Sequence, residues 1–138
     1  MSINSRGEKG IAKIFIIEDD KSVIRMYLML LKMSGFDVIG TANNGKTAIE
    51  KFQNLSEKPD IILIDHRMPL KNGIETAKLI MNLDKDSKII FTTADHSIKE
   101  EALSLGVIEF IEKPFLCERL IDSIHKALKT KSQSTLQN

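Results

Sequence analysis

The stretch IFIIEDDKS at residues 14–22 sets three acids, Glu18, Asp19 and Asp20, directly behind four apolar residues. Two unit charges about 4 Å apart repel by roughly 1 kcal/mol in water and by about 4 kcal/mol at an effective dielectric of about 20. Such a cluster calls for a counter-charge, unless one acid caps the next helix and the others stay solvated. Three more apolar runs end in reactive groups: DIILID in Asp65, KIIFTT in Thr92 and Thr93, and VIEFIE in Glu112 with Lys113 next. Asp19, Asp20 and Asp65 offer hard oxygen ligands, which suit Mg2+ with several retained waters rather than a soft metal. A dication there offsets the repulsion and can neutralise a phosphoryl group during transfer. Asp65 can act as a nucleophile and form an acyl phosphate. Lys113 can pair with one phosphoryl oxygen, and a threonine hydroxyl can donate to another. Taken singly, each residue has a plainer reading, because strand-end aspartates cap and turn, threonines fill strands with a branched side chain, and lysines are solvated. Their joint placement at the ends of four runs is what favours chemistry.

To bring these ends together the runs must be neighbouring strands. Strand-like stretches at 13–18, 36–42, 60–65, 88–93 and 107–112 alternate with helix-length stretches at 21–34, 46–55, 74–83, 97–106 and 115–129. Gly35 is a natural terminator for the first helix, NNG at 43–45 a turn, Pro59 a break and RMPLKNG a loop. Ala48, Ile49, Phe52 and Leu55 recur at helical spacing. The unbroken apolar character of IILI and IIF predicts strands buried on both faces, hence an α/β domain with a parallel sheet covered by helices. In an open sheet of this kind ligands bind beyond the carboxyl ends of the strands, where the strand order reverses, and the acids, hydroxyls and ammonium converge on that rim.

Composition agrees and excludes other classes. The 138 residues are 42% hydrophobic and 28% charged, enough for one globular domain with a full core and little more. Lys plus Arg is 20 against 19 Asp plus Glu, and the net charge of +1 gives no electrostatic ground for nucleic acid or a membrane as the main partner. No apolar run is long enough to span a bilayer, and the polar opening MSINSRGEKG lacks the apolar stretch of a signal peptide, so a cytoplasmic location is expected. Cys117 stands alone, which permits no internal disulfide, and a packed thiol is expected there. Polar tails are expected at 1–11 and 130–138 around a domain at 12–129.

EDD at 18–20, LIDHRMPLKNG at 63–73, TTAD at 92–95 and EKPF at 112–115 resemble, in order and spacing, the motifs of the response-regulator receiver domain. The resemblance spans nearly the whole chain and is of the stand-alone, single-domain type similar to the chemotaxis response regulator. It implies a doubly wound, flavodoxin-like (βα)5 fold with a parallel sheet in order 2-1-3-4-5. It also implies phosphorylation by a sensor histidine kinase or phosphotransfer protein, and control of a downstream protein target rather than enzymatic turnover. A monomer or weak homodimer is expected. By the resemblance Asp65 is the phosphoacceptor. Asp19, Asp20 and Asp65 hold Mg2+ with the Arg67 backbone carbonyl, Lys113 pairs with the phosphoryl group, and the Lys113–Pro114 bond is cis. Thr93, which Ala94 follows, matches the switch threonine. Phe110 matches the switch aromatic but has no hydroxyl.

Arg67, two residues after Asp65, and Asp95, two after Thr93, fall where the family tunes phosphoryl lifetime, and they are expected to approach across the site mouth. His66 and His96 read as solvated loop histidines rather than ligands. VIRMYLMLLKM at 23–33 is apolar nearly all round, so either the helix is deeply buried or part of it, with Met26 and Met29, is a docking face for a partner. After the last helix no output motif follows, so the signal is expected to leave by contact through the surface of helix 4, strand 5 and helix 5, or as a phosphorelay shuttle. A phosphate-independent binding module is a further alternative. A flavin module of similar topology would need a Ser, Thr or Gly-rich loop where EDDKS stands, and an aspartate-based phosphohydrolase commonly has a second acid where Arg67 stands.

Overall fold

The computed structural model describes residues 10–130. The expected tails lie outside them apart from residues 10, 11 and 130. In chain order the elements are β1 (Lys13–Ile17), α1 (Lys21–Met33), β2 (Asp37–Ala42), α2 (Gly45–Asn54), β3 (Ile61–Ile64) and α3 (Gly73–Leu83). They continue with β4 (Ile89–Thr93), a 3-10 turn (His96–Ile98), α4 (Lys99–Leu105), β5 (Glu109–Glu112) and α5 (Cys117–Lys129). The five strands form one parallel sheet in the expected order β2-β1-β3-β4-β5.

The apolar runs become strands because both faces are covered. Phe15, Ile17, Ile62, Ile64 and Phe91 pack with Phe52 of α2, Ile80 of α3 and Ala102 of α4 on one face. Ile14, Ile16, Leu63 and Ile90 pack with Tyr27 and Leu31 of α1 and with Leu120 and Ile124 of α5 on the other. All of β3 and β4 is buried, which is why their sequences show no polar alternation. Each fully buried Ile, Leu or Phe contributes about 1.5–3 kcal/mol relative to an exposed one. α1 ends as its sequence indicates: the Ser34 N–H closes on Leu30 and Leu31 carbonyls, and Gly35 takes φ +86°, a left-handed conformation that glycine adopts without a Cβ penalty.

Two local expectations change. The fourth helical stretch splits, because the Asp95 carboxylate accepts the Ser97 N–H and tightens residues 96–98 into a 3-10 turn before α4 begins. Cys117 is exposed rather than packed: it opens α5, residues 117–119 are all exposed, and the buried stripe starts at Leu120. Of the two alternatives for α1, deep burial all round is the one that fails, since Tyr27 and Leu31 are enclosed while Met26, Met29 and Met33 are 47%, 67% and 80% exposed.

α3 starts with a complete capping box: Asn72 Oδ1 accepts the Glu75 N–H at 2.9 Å, and Glu75 Oε1 accepts the Asn72 N–H at 3.3 Å. This cap anchors the far end of the loop that leaves Asp65. Asn72→Ala is expected to lower unfolding free energy by about 1 kcal/mol and Asn72→Asp by much less, measured as the shift in urea midpoint at constant slope.

Candidate functional site

The parallel register delivers the acids side by side. Ile17 of β1 pairs with Ala42 of β2 and Ile64 of β3, so Glu18 and Asp65 leave adjacent strands at the same level. The Glu18 N–H donates to the Ala42 carbonyl and the Asp65 N–H to the Ile17 carbonyl, each at 3.0 Å. Carboxylate oxygens of Glu18, Asp19 and Asp65 lie within 4.8 Å of one another. From across the sheet, the Lys113 N–H donates to the Thr93 carbonyl at 2.9 Å. The Lys113 Nζ reaches 2.5 Å from Glu18 Oε1 and 3.8 Å from Asp65 Oδ2. The Lys113–Pro114 bond is cis, as expected.

Asp20 does not join this group. It is the N-cap of α1, and its Oδ1 accepts from the Ser22 N–H at 2.9 Å and from the Ser22 hydroxyl at 2.6 Å. The third carboxylate is instead Glu18, buried to 1% exposure, with Oε2 accepting the Asp20 N–H at 3.1 Å. The physical reason is one residue of register: β1 stops at Ile17, so the next side chain points into the pocket, and the acid just before Lys21 is used by the helix. A pointer was present in the sequence, because an aspartate immediately ahead of a helical run is a capping signal.

Three carboxylates against one ammonium leave an excess of negative charge made entirely of hard oxygen donors, and this donor set fits Mg2+. Burial raises the Glu18 pKa from 4.5 to about 7; its bonds to Lys113 and to the Asp20 N–H oppose the rise, and the Asp65 charge adds to it. Desolvation pulls the Lys113 pKa down, but the bond to Glu18 and the surrounding negative charge outweigh it, so this ammonium is held above its ordinary value. Hydrogen bonds from Ser22 and Ser97 lower Asp20 and Asp95 respectively.

Asp65 is 7% exposed, and its Oδ1 accepts the His66 N–H at 2.8 Å. Behind it the loop returns very close: a Cβ on Gly73 would stand 2.6 Å from the Asp65 carbonyl oxygen and 2.7 Å from the His66 Cα. Gly73 is thus a positioning residue that attention to side-chain chemistry misses. Thr93 is fully buried, and its hydroxyl accepts the Asp95 N–H at 3.1 Å. Phe110 is buried and stacks on Phe91 with centroids 6.3 Å apart. Arg67 Nε lies 3.7 Å from Asp95 Oδ2, the approach expected across the mouth. His96 is exposed, whereas His66 is half-buried with its Nδ1 enclosed and unpartnered.

Residues 14–125 match the family model of the response regulator receiver domain. The chain is 38% identical over 120 residues to chemotaxis protein CheY of Thermotoga maritima, covering 85% of this chain and 98% of that protein. It is 35% identical over 116 residues to CheY of Bacillus subtilis, covering 82% and 95%. In three dimensions it matches a chain of the CheX–CheY–BeF3–Mg2+ complex from Borrelia burgdorferi with a TM-score of 0.84 and 26% identity, over 94% of this chain and 97% of that one. The chain belongs to the response regulator receiver domain family. Within it the chain is of the CheY-like, single-domain size, a receiver module of two-component signalling. No helix among the described residues is long and apolar enough to cross a membrane.

The raised Glu18 pKa fixes a sign. A group that binds its proton more tightly when folded favours folding at low pH, and that contribution is lost as pH rises from 4.5 through about 7. Asp20 and Asp95, shifted down, act below their ordinary 3.8 and leave this window alone. Metal-free wild type is expected to lose stability across the window relative to Glu18→Gln, and saturating Mg2+ to reverse the loss. Urea midpoints against pH, with and without Mg2+, measure both; parallel curves for the two proteins would contradict the assignment.

Proposed function

We propose that residues 12–129 act as a phosphorylation-dependent switch in which Asp65 accepts a phosphoryl group from a sensor histidine kinase or phosphotransfer protein. The supporting observation is the placement of Lys113: one ammonium held between two buried carboxylates, bonded to Glu18 and 3.8 Å from Asp65 Oδ2. The His66 N–H engages Oδ1, which leaves Oδ2 as the oxygen beside the cation. That oxygen attacks phosphorus, and the bond from phosphorus to the donor's imidazole nitrogen breaks. Its electron pair stays on the nitrogen, and Asp65 becomes an acyl phosphate. Lys113 moves from Glu18 toward a phosphoryl oxygen. Glu18, Asp19, Asp65 and the Arg67 carbonyl would hold Mg2+, which when bound neutralises charge on the phosphoryl oxygens. The BeF3 and Mg2+ named in the Borrelia complex are consistent with this reading.

The signal leaves through two contacts. If the Thr93 hydroxyl turns to donate to the phosphoryl group, it releases the Asp95 N–H and loosens the turn that precedes α4. Phe110, beside Phe91 and without a hydroxyl, responds by repacking alone. Together they bias the surface of α4, β5 and α5, where a downstream protein binds. A shift in population from 1:99 to 99:1 needs about 5.5 kcal/mol of differential interaction, within reach of a charge-assisted network. Met26 and Met29, exposed on α1, offer the donor a polarizable apolar face. The Arg67–Asp95 pair contributes only about 0–1 kcal/mol to stability because Arg67 is 75% exposed; its role is to screen the acyl phosphate from water.

With acetyl phosphate and Mg2+, intact mass is expected to show one labile phosphate on wild type and none on Asp65→Ala. Arg67→Ala and Asp95→Ala are each expected to speed loss of that phosphate by about threefold, the scale of an exposed pair. An adduct that persists in Asp65→Ala would refute the acceptor assignment, and unchanged decay in both variants would refute the screening role.

A further inference from the structure

At the outer edge of the sheet, where β2 ends, the surface is concave. A groove of about 370 Å3 is lined by Lys21, Ile24 and Arg25 of α1, by Ala42 and Asn43 at the end of β2, and by Lys51 of α2. This volume is in the range of small-ligand sites. Three of its walls are cationic and no carboxylate lines it, although Asp20 and Glu50 adjoin Lys21 and Lys51 in the chain. None of the three cations forms an ion pair among the described residues. Lys51 is held in place, because its Nζ donates to the Thr41 carbonyl at 2.6 Å and keeps further N–H groups to offer. Asn43 Oδ1 accepts from Asn44 Nδ2 at 3.0 Å, which leaves the Asn43 amide nitrogen as a donor.

The acidic pocket contains its own counter-ion in Lys113, whereas the exposed cations of this groove are offset by no ion pair among the described residues and stay available to an anion. We infer that the groove binds the di- or triphosphate group of a small ligand, of the nucleoside diphosphate or pyrophosphate class. Three converging cations exceed what one carboxylate can neutralise. An arginine fork and two lysine point charges match several phosphoryl oxygens. Ile24 and Ala42 supply an apolar floor for the rest of the molecule. A single concave site, rather than a track of charges along a face, suits a compact anion rather than a nucleic acid strand or an acidic protein. No groove residue belongs to the carboxylate pocket, so this inference stands or falls apart from phosphorylation of Asp65.

The test is calorimetric titration of the full chain, stripped of metal and desalted, with pyrophosphate, ADP and AMP at two salt concentrations. One-to-one saturation by pyrophosphate and ADP is expected, with AMP and the Lys21→Ala/Arg25→Ala double variant each weaker by about tenfold or more. Lys51→Ala should weaken binding as well, Arg25→Lys should retain most of it, and all variants should keep the wild-type thermal melt. The double variant Lys78→Ala/Lys85→Ala, which removes the same charge from exposed positions on and just after α3, should bind as wild type does. Absence of saturable binding at millimolar ligand, or an equal loss in the α3 control, would overturn the inference, the latter by showing diffuse attraction only.

Discussion

Two buried carboxylates share one ammonium at the carboxyl edge of the sheet with a third carboxylate beside them, and most of the local structure follows from keeping that excess charge in place. Glu18 and Asp65 are nearly enclosed, yet neither is left unpartnered: Glu18 takes the Lys113 ammonium and the Asp20 N–H, and Asp65 takes the His66 N–H. Breaking a buried charge from its partner is costly, on the order of 3–5 kcal/mol, so each group constrains the loop that carries the other. The high Glu18 pKa is the residue of this conflict. Burial contributes more to it than repulsion from Asp65, which is why the pocket holds its acids together with one cation and still favours another.

The sheet supplies the precision that such a cluster needs. In a parallel ladder, pairing Ile17 with Ile64 sets two strand ends level, and pairing Thr93 with Glu112 brings Lys113 to the same rim from the far edge. The loop after Asp65 is then closed where its ends meet, with Gly73, lacking a Cβ, against the Asp65 carbonyl and His66, and the adjoining Asn72–Glu75 capping box fixes its far end. The strands carry the site residues, and the Asp95 N–H, at the start of the 3-10 turn before α4, donates to the Thr93 hydroxyl.

Opposite charges are also separated along the same rim. The acids occupy the ends of β1 and β3, while Lys21, Arg25 and Lys51 collect beyond β2, on a chain whose net charge is only +1. Near-neutral composition therefore hides two local clusters of opposite charge, which only the folded arrangement brings together.

The sequence by itself determined the alternation of five strands and helices, because continuous apolar runs, Gly35 and the asparagine caps are local signals that act within a few residues. Its motifs EDD, LIDHRMPLKNG, TTAD and EKPF also pointed to the family and the strand order. Tertiary structure alone decided which acids meet, replacing Asp20 by Glu18, because one residue of register separates a side chain that enters the pocket from one that caps α1. It likewise decided that Cys117 and the α1 methionines face outward. Those facts depend on how elements distant in sequence pack and on which neighbour satisfies each charge, quantities that periodicity and spacing along the chain do not carry.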